Sequence, residues 1–170
     1  QPSDAQAMLA LGDQYWPLRA FRELDAALLH LRLNEPEIGI VVLKTQGDRE
    51  AVLAIDRTLA THRDHWLARE ILHFMKRTLK RLDLTAKSFI ALIEPGSCFA
   101  GALFELALAA DQSFMLDDPD QPTAIAMSAL NGGALPMSTG LTRLETRFLG
   151  EPDKVEKLLA ISEAIEPHVA

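Results

Sequence analysis

Glu105 lies in a part of the sequence that holds few other polar residues. Residues 100–110 otherwise consist of alanine, glycine, leucine and phenylalanine. Carboxylates with perturbed pKa values often mark sites of proton transfer, so Glu105 is a candidate general acid or base. The helix dipole alone also favours a glutamate in the first turn of a helix, so a structural role is the alternative.

Two residues with reactive side chains come just before this segment. Cys98, the single cysteine of the chain, could act as a nucleophile near a helix start, where thiolates are stabilised. A buried, inert thiol is the more common situation for such a cysteine. Ser97 could donate a hydrogen bond to a substrate, although serines are also common in turns for local reasons.

Residues 62–81 contain metal-ligand types and positive charges. The sequence His62, Asp64, His65 lacks a second pair of ligands at a recognisable spacing, which favours a solvated helix start. The basic residues that follow could hold phosphate groups or meet an acidic partner, but usually form a solvated helix face. They are Lys76, Arg77, Lys80 and Arg81.

Bulk properties exclude several classes of protein. The chain has 170 residues, 48% hydrophobic and 24% charged, which predicts one globular domain. Its formal net charge of −7 argues against a nucleic-acid partner, and no apolar run approaches the roughly 20 residues that span a membrane. One cysteine leaves no internal disulfide, so we expect a cytoplasmic location. Because the chain starts at Gln1 without methionine, we also expect a fragment.

Alternating helices and strands should position these residues. Apolar periodicity predicts helices over residues 17–31, 61–82, 101–110 and 139–148 and from Pro152 onward, and strands over residues 38–43, 88–93, 113–116 and 123–127. Residues 1–14 are expected to form a connector or a peripheral strand, and residues 48–60 show no clear pattern. This order implies right-handed crossovers around a mostly parallel sheet, whose first two strands are buried, adjacent and parallel.

The segment 88–111 resembles the central signature of the crotonase, or enoyl-CoA hydratase/isomerase, superfamily. That signature reads strand, turn, glycine cluster, Glu-Leu-Ala and an aspartate. Here Glu105-Leu106-Ala107 and Asp111 keep the spacing, and Gly101 falls at the glycine cluster. The resemblance covers most of the chain. It implies an α/β fold, a crotonase-like ββα spiral with a mostly parallel sheet and flanking helices, as a single domain over residues 1–170.

The resemblance also implies a site for an acyl-CoA thioester, with no other cofactor and no metal. Family members direct two backbone N–H groups at the thioester oxygen, where they stabilise the charge that develops in the reaction. One of these donors lies at the start of the helix that follows the glycine cluster. Gly101 and Ala102 occupy those positions here and are the candidate oxyanion and thioester-binding residues.

Two departures from the family pattern limit the expected activity. Hydratases of the family use two glutamates, but Ala129 stands at the second position, with Ser128 beside it. The family's alanine-glycine-aspartate donor strip is also absent, because residues 47–54 read GDREAVLA. We therefore expect this domain to support a reaction rather than to catalyse one alone.

Residues 93–101 further resemble a lyase of the family that contains two crotonase-like halves. This lyase cleaves the ring of a benzoyl-CoA dihydrodiol or epoxide in aromatic degradation. The chain would be its second half, the C-terminal part of a longer chain, with an N-terminal half as partner and a homo-oligomer as the assembly. The alternatives are a self-sufficient hydratase or isomerase that uses Glu105, and a purely structural oligomerisation module.

Overall fold

A computed structural model describes residue 2 and residues 4–169. The helices and strands of this part of the chain are α1 (Ala5–Leu11), α2 (Trp16–Leu33), β1 (Ile40–Leu43), α3 (Arg49–Thr61), α4 (Trp66–Asp83), β2 (Ser88–Ile93), α5 (Gly101–Ala109), β3 (Gln112–Met115), α6 (Arg143–Arg147) and α7 (Pro152–Leu159). Short 3-10 turns occupy Gly12–Gln14 and Ala129–Gly132. No helix in the described residues is long and apolar enough to cross a membrane.

The three strands found in the described residues form one parallel sheet in the order β1-β2-β3. Ile40 pairs with Ser88, and Ile90 pairs with Gln112. Helix α5 begins eight residues after β2 ends at Ile93, so it leaves the carboxyl end of the central strand. The prediction that the first two strands are adjacent and parallel is confirmed.

The core lies on one face of this sheet. Phe89, Ala91 and Ile93 alternate along β2 with residues that point the other way, and each is at most 4% exposed. They belong to one apolar cluster with Phe21 of α2 and Met75 of α4. Helices α2 and α4 pack together because each carries an apolar stripe at helical spacing, as predicted.

The prediction that β1 is buried is wrong, because two of its four residues are exposed and the other two are only partly buried. Ile40 and Val42 are 63% and 50% exposed, while Val41 and Leu43 pack against the core. A continuous β-branched run predicts a strand, but it does not reveal whether both faces of that strand are covered.

One prediction for the first 61 residues is also wrong, and a second helix in this region was not predicted. The N-terminal segment forms helix α1 rather than a connector or strand, because the Asp4 side chain accepts a hydrogen bond from the Ala7 N–H at 2.8 Å and caps the helix. The unassigned stretch after Gly47 forms helix α3. The Asp48 side chain caps this helix in the same way, by accepting from the Glu50 N–H at 2.8 Å.

Two further elements differ in the last third of the chain. The strand predicted over residues 123–127 is absent as a regular element; Ala126 and Ile125 make isolated bridges to Ala100 and Ile165. The helix predicted over residues 139–148 begins only at Arg143, where Thr142 and Glu145 form a reciprocal cap.

Candidate functional site

The start of helix α5 is where the two candidate oxyanion donors lie. The Gly101 N–H donates to the Ala126 carbonyl oxygen at 2.9 Å. The Ala102 N–H donates to Oδ2 of Asp56 at 2.7 Å. Both donors therefore have partners inside the protein, and the positive end of the helix dipole is occupied by a side chain of α3.

Asp56 is the side chain that fills this position. It is 2% exposed, and its Oδ2 also accepts a hydrogen bond from Ser128 Oγ at 2.7 Å. Burial raises the pKa of the Asp56 carboxyl from 3.8 to about 7, against the lowering effect of its hydrogen bonds to Ser128 and Ala102. The side chain is a hydrogen-bonded cap in the interior rather than a group open to a ligand.

Gly101 is the residue that allows Asp56 to come this close. Its φ angle is +46°, and a Cβ atom added to it would lie 1.9 Å from Asp56 Oδ2 and 2.9 Å from Ser128 Oγ. In the family, small residues at this position admit a ligand to the backbone. In this chain the same space holds the carboxyl group of Asp56.

Glu105, the candidate acid or base, is 1% exposed, and both of its oxygens have partners. Oε1 accepts from Asn131 Nδ2 at 2.7 Å, and Oε2 accepts from Arg143 Nη1 at 2.8 Å. Burial raises the pKa of the Glu105 carboxyl, against the lowering effects of Asn131 and Arg143. No proton can pass from Glu105 to a ligand without breaking this pair.

Arg143 connects Glu105 to helix α4. Its guanidinium donates from Nε and Nη2 to the two carboxylate oxygens of Asp83, at 2.9 and 2.6 Å. Nη1 also donates to the Leu135 carbonyl oxygen at 3.0 Å. The Arg143 and Asp83 side chains are 1% and 5% exposed, so one buried cation is shared by two buried carboxylates.

Asn131 and Ser128 join these contacts into one buried network. Ser128 caps the 3-10 turn that begins with Ala129, and its N–H donates to Asn131 Oδ1 at 2.9 Å. Asn131 Nδ2 also donates to the Gly101 carbonyl oxygen at 3.0 Å. Ala129, at the position of the family's second glutamate, is exposed and apolar. The network therefore ties α3, α4, α5 and α6 together through three carboxyl groups, those of Asp56, Asp83 and Glu105, that are at most 5% exposed.

The other candidates from the sequence lie apart from this network. Cys98 is buried and free, and its N–H donates to Thr45 Oγ1 at 3.0 Å. Ser97 is buried in a turn, where its Oγ accepts from the Glu94 N–H at 2.9 Å. The interpretation of Ser97 as a turn residue is thus confirmed.

The segment from His62 to Arg81 takes part in structural contacts. His65 caps α4 by accepting from the Leu67 N–H at 3.3 Å. Arg77 lies 4.9 Å from the centre of the Phe74 ring, and Arg81 pairs with Asp25 at 3.3 Å. Among the residues that the structure describes, no group of three or more His, Cys, Asp and Glu side chains could hold a metal ion.

A largely apolar cleft of about 380 Å³ lies elsewhere on the domain. Phe104, Met115, Leu144 and Phe148 are among the residues that line it. Neither Glu105 nor Ala102 reaches its surface, so a molecule bound there would not contact the buried network.

Replacing Asp56 by asparagine should flatten the pH dependence of stability. Between about pH 4 and 7 the native state keeps a proton on Asp56 that the unfolded chain releases, so this carboxyl makes stability fall as pH rises. The slope is up to about 1.4 kcal/mol per pH unit. The asparagine amide keeps an oxygen that can accept the two hydrogen bonds without titrating. The stability of D56N should therefore fall less steeply as pH rises. Urea denaturation at pH 4.5, 6 and 7.5 measures this slope.

The matched control for this experiment is Asp13→Asn, which removes a negative charge from the exposed turn that precedes α2. It separates the loss of a buried titrating group from the loss of any negative charge. If the free energy of unfolding falls with pH at the same slope in D56N and its parent, the raised pKa of Asp56 is contradicted.

Comparison with known proteins defines the class of the domain. No model of a known protein family matches the chain. Its structure is similar to that of Pseudomonas aeruginosa AtuE, with a TM-score of 0.51 and 16% sequence identity, over 87% of this chain and 54% of the other. The fold is crotonase-like, as predicted.

The sequence also has a curated relative. It is 46% identical over 164 residues to benzoyl-CoA-dihydrodiol lyase of Aromatoleum evansii, an alignment that covers 92% of this chain. The chain spans 30% of the length of that relative. This domain is thus similar to one part of a larger lyase, which confirms the resemblance read from residues 93–101.

Four residues of the buried network were not predicted from the sequence: Asp56, Asp83, Asn131 and Arg143. Asp56 interrupts an apolar stripe of α3, between the buried Ile55 and Leu59. An acidic residue in an apolar stripe is rarely buried without a partner, and this was the signal by which the sequence could have indicated Asp56. Asp83 and Arg143 carry no comparable signal, since Arg143 lies 60 residues after Asp83 and 38 residues after Glu105.

Proposed function

We propose that this chain is a supporting crotonase-like domain of a CoA-thioester lyase. The reaction proposed for the whole lyase is cleavage of the ring of a benzoyl-CoA dihydrodiol or epoxide, on the basis of the name of the relative from Aromatoleum evansii. Because the chain spans 30% of that relative, we further propose that the working carboxylates come from another part of a longer polypeptide.

One observation carries the proposal of a supporting role. The Ala102 N–H and the Glu105 carboxylate, which a catalysing member of the family would direct at its substrate, are both bound to buried side chains of this chain. Stabilisation of an enolate-like oxyanion requires donors directed at the position of that oxygen. Here a carboxyl group already occupies that position, so an acyl-CoA thioester would have to displace Asp56.

The self-sufficient hydratase is the weaker candidate for the same reason. Hydration of an enoyl-CoA needs a proton donor and a placed water molecule, which the family divides between two carboxylates. Glu105 is paired with Arg143 in the interior, and Ala129 cannot transfer a proton. We expect no hydration of crotonyl-CoA above background by this chain.

The proposal is tested by Glu105→Gln in the full-length polypeptide that carries this domain. Ring cleavage of benzoyl-CoA dihydrodiol should keep a kcat within about threefold of the parent, whereas loss of a positioned acid or base costs about a hundredfold or more. Activity is measured well below the melting temperature of the variant, with circular dichroism as the check that it is folded. A drop in kcat of about a hundredfold in a fully folded E105Q protein would make Glu105 catalytic and reject the supporting role.

A further inference from the structure

One face of the sheet carries an apolar surface that no part of the described chain covers. Ile40, Val42 and Phe114 are 63%, 50% and 55% exposed. The strand register places Val42 beside Ile90 and Leu92 beside Phe114, so these five side chains form a continuous patch across all three strands. We call it the outer sheet face. Polar residues, Ser88 and Gln112, lie at its amino end.

This exposure is unusual for a parallel sheet. Parallel sheets occur almost always with both faces covered, because their strands are apolar on both sides. The opposite face here is covered, with Phe89, Ala91 and Ile93 packed into the core beside helices α2, α4 and α5. A contiguous exposed apolar patch usually marks an interaction site. The outer sheet face therefore has the character of an interface.

The most fitting occupant is another part of the same polypeptide. The relative from Aromatoleum evansii has more than three times the length that this chain covers, so it supplies ample chain for a second layer. A second copy of this chain fits less well, because it would bring another formal net charge of −7 to the contact. The patch itself has no charged side chain, so the matching surface should be apolar as well.

We propose that the outer sheet face packs against an apolar face of the remainder of the lyase polypeptide, an inference that rests on the proposed function. Val42 and Ile90, at the paired centre of β1 and β2, would be the middle of this contact. The interface would hold the supporting domain in a fixed position beside the catalysing part.

Thiol protection in the full-length polypeptide tests this interface. Val42→Cys and Ile40→Cys place small, uncharged thiols on the outer sheet face, and the native Cys98 is 5% exposed and gives a low background. Glu23→Cys on helix α2 is the control, because the Glu23 side chain is 76% exposed. With N-ethylmaleimide we expect the two sheet thiols to react at least tenfold more slowly than the control.

Two results would overturn the proposal. Equal reaction rates at all three sites would show that the outer sheet face is open to solvent. Protection that disappears on dilution would show that a second copy covers it. Ring cleavage by the same variants is measured separately: unprotected thiols in an active lyase would reject the interface alone, whereas protected thiols in a protein without lyase activity would reject the proposed function alone.

Discussion

Arg143→Met is expected to destabilise the domain by about 3–5 kcal/mol, because removal of one partner from a buried ion pair leaves an uncompensated charge. Here two carboxylates, those of Asp83 and Glu105, would lose their cation in the interior. Methionine fills a similar volume, so the loss of stability comes from the missing positive charge rather than from a cavity. The measurement is urea denaturation followed by circular dichroism at pH 7.5.

The control for this substitution is Arg19→Met, which removes an exposed ion pair with Glu23. Pairs of this kind contribute at most about 1 kcal/mol. The loss of stability in R143M should shrink at lower pH, since burial raises the pKa of the Glu105 carboxyl and its protonation removes one of the two uncompensated charges. Equal losses in R143M and R19M would mean that the buried network does not stabilise the fold.

Gly101→Ala is expected to cost at least about 4 kcal/mol or to prevent folding, an effect that few single substitutions reach. The added Cβ would lie 1.9 Å from Asp56 Oδ2, and a φ of +46° is itself unfavourable for alanine. Either the backbone at the start of α5 or the side chain of Asp56 would therefore have to move, which breaks the hydrogen bond between Asp56 and the Ala102 N–H. Thermal unfolding, with soluble yield as a second readout, measures the loss.

Gly12→Ala separates the two causes, because Gly12 has a φ of +54° and nothing lies within 4 Å of an added Cβ. It should cost about 1–3 kcal/mol, from a backbone conformation of φ +54° and ψ −123° that alanine rarely adopts. In an Asp56→Ala background the 1.9 Å contact is gone and only the 2.9 Å contact with Ser128 Oγ remains, so Gly101→Ala should cost less there than in the parent. Additive losses in this double-mutant cycle would reject contact with Asp56 as the cause.

The sequence allowed the centre of the fold to be predicted because its local signals agree there. Strand β2 is a short apolar run that ends before the turn residues Glu94-Pro95-Gly96, and the uniformly apolar segment from Gly101 forms α5. Helix α3 was not predicted, since Asp56 breaks the apolar pattern that would otherwise indicate a helix. The exposure of Ile40 and Val42 could not be predicted either, because periodicity describes a strand and not what packs on it.

The sequence placed the candidate residues at the start of one helix but did not indicate their partners. Gly101, Ala102 and Glu105 do lie together at the start of α5, as the family spacing implies. Their partners come from distant parts of the sequence: Asp56 precedes Ala102 by 46 residues, and Arg143 follows Glu105 by 38. Contacts over such separations leave no local pattern, so only the folded structure reveals that the donors are occupied.

Asp56 acts on helix α5 as a tethered ligand. A group attached to the same chain presents an effective concentration in the millimolar range or above to its binding position. Its contact with the Ala102 N–H, at 2.7 Å, would therefore outcompete free acyl thioesters at micromolar concentrations. Under the proposed function, this domain would not compete with the catalysing part for substrate, and a binding titration of the whole polypeptide would show one class of acyl-CoA site.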